Sequence, residues 1–333
     1  MVRVAINGFG RIGRLILRAG LYDKKIEFVA VNDLGSAEQL AHLLKYDSVH
    51  GTLAEEVSVK KNIIYVGKKQ IKVYNEMNPA KLSWKKDKID VVCECTGRFV
   101  TKKDCMMHLK AGAKKVLLSA PAKGDQPVKT VVRGVNHQSL SSKDTIVSNG
   151  SCTTNCLGPV AHLLNENYGI EHGLLHTIHA YTSSQNIVDG PSKDPRRARA
   201  AAINMIPTST GAARTIAKVI PALDGKIDGM ATRVPLACGS LIDFTCALKE
   251  PTSKEELDLL FRTASQNELR NVLQYSTEPL VSSDIIHNPH SAIYDSGATM
   301  VLNPRFVKII AWYDNEWGFC NRMIDVAKML GSK

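Results

Sequence analysis

Three glycines at fixed spacing, Gly8-Phe9-Gly10-Arg11-Ile12-Gly13, stand directly behind the first apolar run of the chain, Val2 to Asn7. The run predicts a buried strand, and apolar residues at helical spacing continue from Ile12. A second apolar run, Ile26 to Val31, leads to Asp33, about 20 residues after the third glycine. Strand, spaced glycines, helix, strand and acid in this order predict a dinucleotide-binding βαβ unit.

Each residue of this pattern has a physical role. Gly8 permits a tight turn, Gly10 lets a pyrophosphate approach the backbone, and Gly13 lets helix and strand pack closely. The helix N-terminus adds amide donors for the phosphates. Asp33 would accept hydrogen bonds from the adenosine ribose and repel a 2′-phosphate, which favours NAD over NADP. The small Gly35-Ser36 pair leaves room for that phosphate, so use of both cofactors stays open.

The rest of the first half alternates strands and helices. Strands are predicted at Val91 to Cys95, Lys115 to Ser119 and Ile146 to Ser148, with a helix over Lys102 to Ala111. This alternation predicts a doubly wound, mostly parallel sheet of the Rossmann kind. Ligands of such sheets bind at the carboxyl ends of the strands.

The most informative stretch of the second half is Ser148 to Cys156. Asn149-Gly150 is a turn dipeptide and Ser151 a good helix cap, so Cys152 is expected at a helix N-terminus. The helix dipole there lowers the pKa of a thiol and favours the nucleophilic thiolate. A buried structural cysteine is the alternative at this position. Cys156, one turn deeper, fits a small hydrophobic packing residue.

A cysteine nucleophile requires a base, and Gly173 to Thr182 reads as a strand that carries His176 and His179. Strand side chains alternate between faces, so these two histidines point to opposite sides. The pattern alone leaves open which of them faces Cys152. The other is expected to be a structural histidine with a satisfied hydrogen bond.

Further along, hydroxyl and arginine side chains collect near predicted turns. The segment 183–199 has little periodicity, which is typical of a functional or interface loop. Thr208 to Gly211 should open a helix, and Arg233 precedes the turn at Pro235. Such groups suit phosphate binding, although a solvated surface is the alternative for any single arginine. Alternating strands, such as 240–248, and helices predict an α+β second domain with a mixed, largely antiparallel sheet.

Composition excludes several classes of protein. The formal net charge of +11 suits anionic cofactors and phosphorylated substrates as well as nucleic acid. Because the basic residues form only short clusters, nucleic acid is not expected as the main partner. Eight cysteines show no zinc-ligand spacing, so no metal site is predicted and a reducing cytoplasm is expected. No apolar run reaches the roughly 20 residues that a membrane span needs.

Together these segments resemble the phosphorylating glyceraldehyde-3-phosphate dehydrogenases over nearly the whole chain. The motifs that carry the resemblance are INGFGRIGR at 6–14, LAHLLKYDSVHG at 40–51, ECTGRF at 94–99, SAPAKGD at 119–125, SCTTNC at 151–156, HTIHAYT at 176–182, STGAA at 209–213 and WYDNEWG at 312–318. The family pattern implies an NAD-binding domain over 1–150, against which a C-terminal helix at 316–333 packs, and a catalytic domain over 151–315. It also implies that 183–199 is the S-loop of a cytoplasmic homotetramer.

The resemblance assigns roles that the residues alone leave open. It implies that Cys152 is the nucleophile and His179 its base. The implied site for inorganic phosphate comprises Ser151, Thr153, Arg197, Thr210 and Gly211, and the implied site for the substrate phosphate comprises Thr182 and Arg233. The implied cofactor contacts, besides Gly8, Gly10 and Gly13, are Arg11, Ile12, Asp33, Met77, Ser119 and Asn315, the last orienting the nicotinamide amide.

The implied reaction is the oxidation of glyceraldehyde 3-phosphate to 1,3-bisphosphoglycerate, in glycolysis or gluconeogenesis, through a thiohemiacetal and a thioester on Cys152. The rivals are an erythrose-4-phosphate dehydrogenase, an NADP or dual-cofactor form, and a non-catalytic dinucleotide- or nucleic-acid-binding protein. The chain departs from the family pattern at Gly150, at Met77 in place of an arginine, and at Leu236-Ala-Cys-Gly-Ser240 in place of TPNVS. No function follows from the sequence of this last stretch.

Overall fold

The computed structural model describes residues 1–333. The chain divides into two compact units. The N-terminal unit comprises Met1–Arg133, His137–Ser151 and Cys320–Lys333, and the C-terminal unit comprises Gly134–Asn136 and Cys152–Phe319. The domain limits expected from the sequence, 1–150 and 151–315, stay a prediction. None of the helices combines the length and the apolar character needed to cross a bilayer.

The N-terminal unit is built on a nine-stranded sheet with the order β3-β4-β5-β2-β1-β6-β7-β9-β8. Its elements are β1 (Val2–Asn7), α1 (Arg11–Gly20), β2 (Ile26–Asn32), α2 (Ala37–Lys45), β3 (Val57–Lys60), β4 (Ile63–Val66), β5 (Lys69–Tyr74), β6 (Val91–Glu94), α3 (Lys102–Lys110), β7 (Lys115–Leu118), β8 (Lys129–Thr130) and β9 (Ile146–Ser148). All pairings are parallel except β3 with β4 and β4 with β5. The predicted Rossmann-like, mostly parallel sheet is confirmed.

Apolar runs explain why the central strands form. Val4, Ala5 and Ile6 of β1 are fully buried, as a parallel strand covered on both faces must be. The sequence did not predict the antiparallel extension β3–β5 or helix α2. Helix α2 begins with a capping box in which Ser36 and Gln39 bond to each other's backbone N–H.

The C-terminal unit contains α4 (Cys152–Tyr168), β10 (Ile170–Ala180), β11 (Ile206–Ser209), α5 (Ala212–Val219), β12 (Ile227–Val234), β13 (Ser240–Leu248), α6 (Lys254–Gln266), β14 (Leu273–Ser276), β15 (Ala292–Asp295), β16 (Met300–Asn303), β17 (Phe306–Tyr313) and the first turn of α7 (Trp317–Gly331). Its sheet has the order β11-β12-β10-β13-β17-β15-β14, with β16 beside β17. Only β10–β12 and β14–β15 are parallel pairs. The mixed, largely antiparallel sheet is therefore confirmed.

Local signals in this half also hold. Strand β13 alternates buried and half-buried residues along its length, and Ser253 forms a capping box with Glu256 at the start of α6. Gly331 is the last residue of α7. Within the N-terminal unit, a Cβ at Gly331 would come within 2.3 Å of a Val2 methyl group. The absence of a side chain at this glycine therefore allows α7 to pack closely against β1.

Candidate active site

The reactive centre of the C-terminal unit pairs a cysteine with a histidine. Cys152 is the first residue of α4, and its Sγ lies 3.3 Å from Nε2 of His179. Gly150 has a φ of 67°, a left-handed value that suits glycine in the turn before the helix. His179 is nearly fully buried on β10. His176 points to the other face, where its Nε2 lies 2.8 Å from the Thr232 hydroxyl. The predicted opposition of the two histidines is confirmed.

Arg233 reaches this pair through strand register. Strands β10 and β12 are parallel, and His179 is the direct partner of Arg233. The Nη1 of Arg233 donates to the Ala180 carbonyl at 2.8 Å and lies 2.6 Å from Nδ1 of His179. That Nδ1 is also 2.7 Å from the same carbonyl. A proton on Nδ1, donated to Ala180, leaves Nε2 free to accept the proton of the Cys152 thiol.

Burial dominates the electrostatics of the pair. It raises the pKa of the Cys152 thiol, although Arg233 and hydrogen bonds from Thr153 at the helix N-terminus act to lower it. Burial, followed by the charge of Arg233, lowers the pKa of His179 to about 3. The expectation that the helix N-terminus sets a low thiol pKa therefore needs correction, because desolvation outweighs the amide donors. Nε2 of His179, 3.3 Å from the sulfur, is within reach of the thiol proton.

Tyr313, at the end of β17, joins the two elements that carry the pair. Its hydroxyl lies 2.9 Å from the Thr153 hydroxyl on α4 and 2.9 Å from the Thr177 hydroxyl on β10. Its ring stands edge-on to His179 with centroids 5.9 Å apart. Sequence reasoning missed Tyr313, because an aromatic residue at the end of an alternating strand is indistinguishable from a core residue.

The other predicted phosphate ligands lie on segments flanking this sheet. The Nε of Arg197 donates to the Thr208 hydroxyl at 2.8 Å, and that hydroxyl donates to Asp194 at 3.0 Å. Thr210 and Gly211 directly precede α5, and the Thr210 hydroxyl accepts from the Ala212 N–H at 3.2 Å. The prediction that Thr208 also opens this helix was wrong, because Thr208 and Ser209 pair with β12 as part of strand β11.

Three more predicted ligands surround the reactive pair in sequence. The Thr182 hydroxyl, just after β10, lies 2.8 Å from the Ser184 hydroxyl. Ser151 directly precedes Cys152 and is half-buried. Thr153 is buried, and its hydroxyl already has Tyr313 as a partner. Its contact with phosphate stays a prediction.

In the N-terminal unit a cleft of about 260 Å³ opens beside the ends of β1, β2 and β6. It is lined by Asn7, Gly8, Gly10, Asn32, Asp33, Leu34, Glu76, Met77, Cys95, Thr96, Arg98 and Phe99. Gly8 has a φ of 89°, and a Cβ there would come within 2.6 Å of the Thr96 nitrogen. A Cβ at Gly13 would meet the Gly8 carbonyl oxygen at 2.2 Å, whereas one at Gly10 would meet nothing within 4 Å. The open space beside Gly10 is what a closely approaching ligand requires.

Backbone donors hold the acid at the edge of this cleft. One carboxylate oxygen of Asp33 accepts from the Phe9 N–H at 2.6 Å, and the other accepts from the Gly35 N–H at 3.2 Å. Both oxygens keep lone pairs for the two hydroxyls of a ribose. Arg11, at the start of α1, forms an ion pair with Asp47 at 2.6 Å.

The remaining predicted cofactor residues also have defined positions. Met77 lines the cleft and is largely exposed. Ser119 follows β7, and its N–H donates to the Glu94 carbonyl at 3.0 Å. The Ile12 carbonyl accepts a hydrogen bond from the Cys320 thiol at 3.5 Å. In the C-terminal unit, Asn315 follows β17, and its amide oxygen accepts from the Ser240 hydroxyl at 2.9 Å.

A buried polar network beneath the cleft was not predicted. Glu94, at the end of β6, accepts from the Asn7 amide at 2.6 Å and from the Thr96 N–H at 2.8 Å. It also contacts Nε2 of His108 at 3.0 Å, and the Trp84 indole donates to Nδ1 of that histidine at 3.0 Å. The network fixes two strand ends and the turn that lies against Gly8. Its only sequence signal is an acid at the end of an apolar run.

Comparison with known proteins points to one family over the whole chain. Residues 2–102 match the model of the glyceraldehyde 3-phosphate dehydrogenase NAD binding domain, and residues 151–315 match that of the C-terminal domain. Glyceraldehyde-3-phosphate dehydrogenase 1 of Bacillus cereus is 51% identical over 334 residues, covering 100% of this chain and 99% of that protein. The glyceraldehyde-3-phosphate dehydrogenase of Geobacillus stearothermophilus is 49% identical over 333 residues, with the same coverage.

Proposed function

The chain belongs to the glyceraldehyde-3-phosphate dehydrogenase family, and from this premise we propose that it converts glyceraldehyde 3-phosphate, NAD and inorganic phosphate to 1,3-bisphosphoglycerate and NADH. The observation that carries the proposal is the placement of Cys152 Sγ 3.3 Å from the His179 imidazole, with Arg233 in register beside it. A nucleophile, a base and a cation in one buried place suit an aldehyde that bears a phosphate.

The chemistry begins on sulfur. As the Cys152 thiol attacks the aldehyde carbon, its proton passes to Nε2 of His179, and the imidazolium then protonates the new oxyanion to give a thiohemiacetal. The contacts of Nδ1 with the Ala180 carbonyl and the Arg233 guanidinium hold the orientation of the ring. His179 next takes the hydroxyl proton while hydride leaves the carbon, and a thioester remains on Cys152. Inorganic phosphate attacks the thioester, releases the acyl phosphate and restores the sulfur.

Cationic and hydroxyl groups would bind the two phosphates. We assign the substrate phosphate to Thr182 and Arg233, and the attacking phosphate to Ser151, Thr153, Arg197, Thr210 and Gly211. Burial lowers the pKa of Arg233, a cost that a bound phosphate dianion would offset. The hydrogen bond from Arg197 to Thr208 orients its guanidinium, leaving nitrogens that can donate to a second anion.

The residues of the N-terminal cleft fit a dinucleotide. The open space at Gly10 and the N-terminus of α1 would receive the pyrophosphate, and Asp33 the adenosine ribose. Arg11, Ile12, Met77 and Ser119 would complete the contacts, and Asn315 would donate to the nicotinamide amide. When bound, the nicotinamide ring accepts the hydride that leaves the substrate carbon.

NAD is the proposed cofactor in preference to NADP. Both oxygens of Asp33 are fixed by backbone N–H groups, so the carboxylate cannot easily turn away from a 2′-phosphate. Glu38 lines the adjacent groove beside Gly35, and Met77 offers no charge to balance an added phosphate. Two carboxylates near one phosphate position favour the cofactor that lacks it.

A homotetramer in the cytoplasm is the proposed state of the enzyme. Leu174, Met230 and Phe306 are exposed on one face of the eight-stranded sheet, opposite the face that carries His179. Ile187 in the S-loop is 85% exposed. Apolar side chains gathered on a sheet face are typical of subunit contacts. All eight cysteines are free, as a reducing compartment would keep them.

The test is cofactor reduction by the purified protein with glyceraldehyde 3-phosphate and NAD or NADP, with and without inorganic phosphate. Phosphate-dependent reduction of NAD is expected, with little reduction of NADP. Erythrose 4-phosphate in the same assay separates the nearest rival. A folded protein that binds NAD but oxidises neither aldehyde would refute the proposal.

A further inference from the structure

The stretch that departs from the family pattern, Leu236 to Ser240, forms a cluster of buried hydrogen bonds. The Ser240 hydroxyl donates to the amide oxygen of Asn315 at 2.9 Å and accepts from the Ala180 N–H at 3.1 Å. The Gly239 N–H donates to the same amide oxygen at 3.2 Å. Ser240, Asn315 and Ala180 are all buried, so these bonds form away from solvent.

This network determines which way the Asn315 amide points. Because the Ser240 oxygen accepts from Ala180, its single proton is available for Asn315. The Gly239 N–H can only donate, so the Asn315 atom facing both groups must be the oxygen. The Asn315 NH₂ group is then the part of the amide available to a ligand. An amide so fixed donates to a carbonyl oxygen of its ligand.

The conformation at residue 239 depends on glycine. Gly239 has a φ of 88°, and a Cβ there would come within 2.3 Å of the Ser282 carbonyl oxygen. Only glycine readily adopts this backbone and fits this space, and the backbone directs the N–H toward Asn315. The unusual residue thus supplies one of the two hydrogen bonds that orient the amide.

The same serine also contacts Ala180, the residue whose carbonyl lies against His179. The Ala180 N–H donates to Ser240, while the Ala180 carbonyl lies 2.7 Å from Nδ1 of His179 and accepts from Arg233 at 2.8 Å. One residue, Ala180, therefore separates the Ser240 hydroxyl from the contact to His179, because its N–H meets the first and its carbonyl meets the second. A shift of Ser240 would move the Ala180 backbone and with it this carbonyl.

We propose that Ser240 is a positioning residue that sets the direction of the Asn315 amide toward the cofactor carboxamide and holds Ala180, whose carbonyl contacts His179. The proposal rests on the proposed function, because it takes Asn315 as the ligand of the nicotinamide amide. Ser240 keeps the serine of the family's TPNVS, whereas the departing Gly239 supplies the second hydrogen bond to the same amide oxygen. The proposal also predicts that one hydroxyl influences two separable steps.

The test compares Ser240→Ala with Asn315→Ala and the wild type in two assays. The first measures the KM for NAD and the isotope effect on oxidation of glyceraldehyde 3-phosphate deuterated at C1. The second measures the pH profile of Cys152 alkylation by uncharged iodoacetamide without cofactor. Ser240→Ala is expected to lower kcat/KM for NAD about tenfold or more, raise the isotope effect and shift the alkylation profile. Asn315→Ala is expected to change the first assay alone.

A double variant and a matched control complete the design. Ser240→Ala with Asn315→Ala should lose little more kcat/KM for NAD than the worse single variant, because both remove one interaction. Cys238→Ala loses a neighbouring bond to Asp314, which keeps its bonds from the Glu316 and Trp317 N–H groups. It should lower the unfolding temperature and leave both assays unchanged.

Several outcomes would overturn the proposal. One is an isotope effect in Ser240→Ala equal to that of the wild type. Another is a loss of kcat/KM for NAD in the double variant equal to the product of the two single losses. The third is a change in both assays for Cys238→Ala as large as that for Ser240→Ala. If Ser240→Ala does not fold, Ser240→Thr, which keeps the hydroxyl, should show the wild-type isotope effect, and a raised one would count against the proposal. A wild type that oxidises no aldehyde phosphate would instead refute the proposed function, which the same assay reports separately.

Discussion

The two units form their sites by different means. In the N-terminal unit the cleft is shaped mainly by backbone: Gly8 forms the turn, Gly10 leaves space, and α1 presents its first N–H groups. In the C-terminal unit the site consists of side chains, and α4 and β10 bring Cys152 and His179 within 3.3 Å. A backbone site fails when a side chain intrudes. A side-chain site fails when one functional group is removed.

The two units also differ in net charge. The N-terminal unit holds 29 Lys and Arg residues against 15 Asp and Glu, and the C-terminal unit holds 14 against 17. The whole net positive charge of the chain therefore belongs to the unit that would bind the dinucleotide. In the proposed function the C-terminal unit would bind phosphate with a few placed groups such as Arg233 and Arg197. The N-terminal unit would thus supply long-range attraction for anions, and the C-terminal unit short-range contacts to phosphate.

The sharpest test of the side-chain site is the removal of one sulfur. Cys152→Ser should lower the rate of NAD reduction by roughly 10⁴-fold or more, because a serine hydroxyl is a far weaker nucleophile beside a neutral imidazole. Cys156→Ser is the matched control, since that thiol is fully buried one turn deeper and contacts the Ala311 carbonyl at 3.8 Å. It should lower the unfolding temperature and keep most activity. Equal losses in both variants would contradict the assignment.

Removal of the base should have the next largest effect. His179→Asn should lower kcat by about 10² to 10⁴-fold, the range for general base catalysis. Burial raises the pKa of the Cys152 thiol, so without a proton acceptor the thiolate forms only at higher pH. The midpoint of Cys152 alkylation by iodoacetamide should therefore move upward in pH. His176→Asn, on the opposite face of β10, should leave that midpoint in place, and a shared shift would show a structural effect instead.

The backbone site can be tested with two alanines. Gly8→Ala should destabilise the protein by about 1–3 kcal/mol, because residue 8 has a left-handed φ and its new Cβ would press on Thr96. Gly10→Ala should leave the unfolding temperature nearly unchanged, since its Cβ meets no protein atom, yet weaken NAD binding about tenfold. Thermal unfolding and NAD titration of both variants would separate the two roles. Unaltered NAD affinity in Gly10→Ala would contradict the placement of the pyrophosphate.

The same contrast explains what the sequence could predict. The glycine pattern predicted the cleft, because turn geometry and the close approach of a ligand require glycine at particular positions. The spacing of apolar residues alone indicates strands β1, β13 and β17. The pattern also showed that His176 and His179 face opposite sides. It could not choose between them from the residues alone, because that choice depends on which face of β10 carries α4. Resemblance to the family supplied the answer.

Some site residues come together only through strand pairing, and the sequence around each of them gives no sign of the contact. Arg233 meets His179 only because β10 and β12 pair in parallel across 54 positions of sequence. Tyr313 reaches α4 from the far end of the chain, and Glu94 becomes a hydrogen-bond acceptor for Asn7 only when their strands lie side by side. The thiol pKa was misjudged for a related reason. Burial, which raises the pKa of the Cys152 thiol against the charge of Arg233 and the hydrogen bonds from Thr153, depends on the whole packed unit.

A change in ionic strength should affect the N-terminal and C-terminal sites differently, and this is the smallest of the predicted effects. At about 0.01 M salt, charges interact over roughly 30 Å, but at 0.15 M over only about 8 Å, so the field of the N-terminal unit is largely screened. We expect kcat/KM for NAD to fall severalfold over this range. Cys152 alkylation by uncharged iodoacetamide should not change, because it depends on contacts shorter than the screening length. Reversing two exposed lysines, as Lys60→Glu and Lys68→Glu together, should weaken the salt dependence for NAD. Reversal of the exposed Arg270 and Arg305 in the C-terminal unit should weaken it less. If the lysine and the arginine reversals weaken the salt dependence equally, the net charge of the whole chain sets kcat/KM for NAD. The uneven distribution of charge between the units would then have no effect on it.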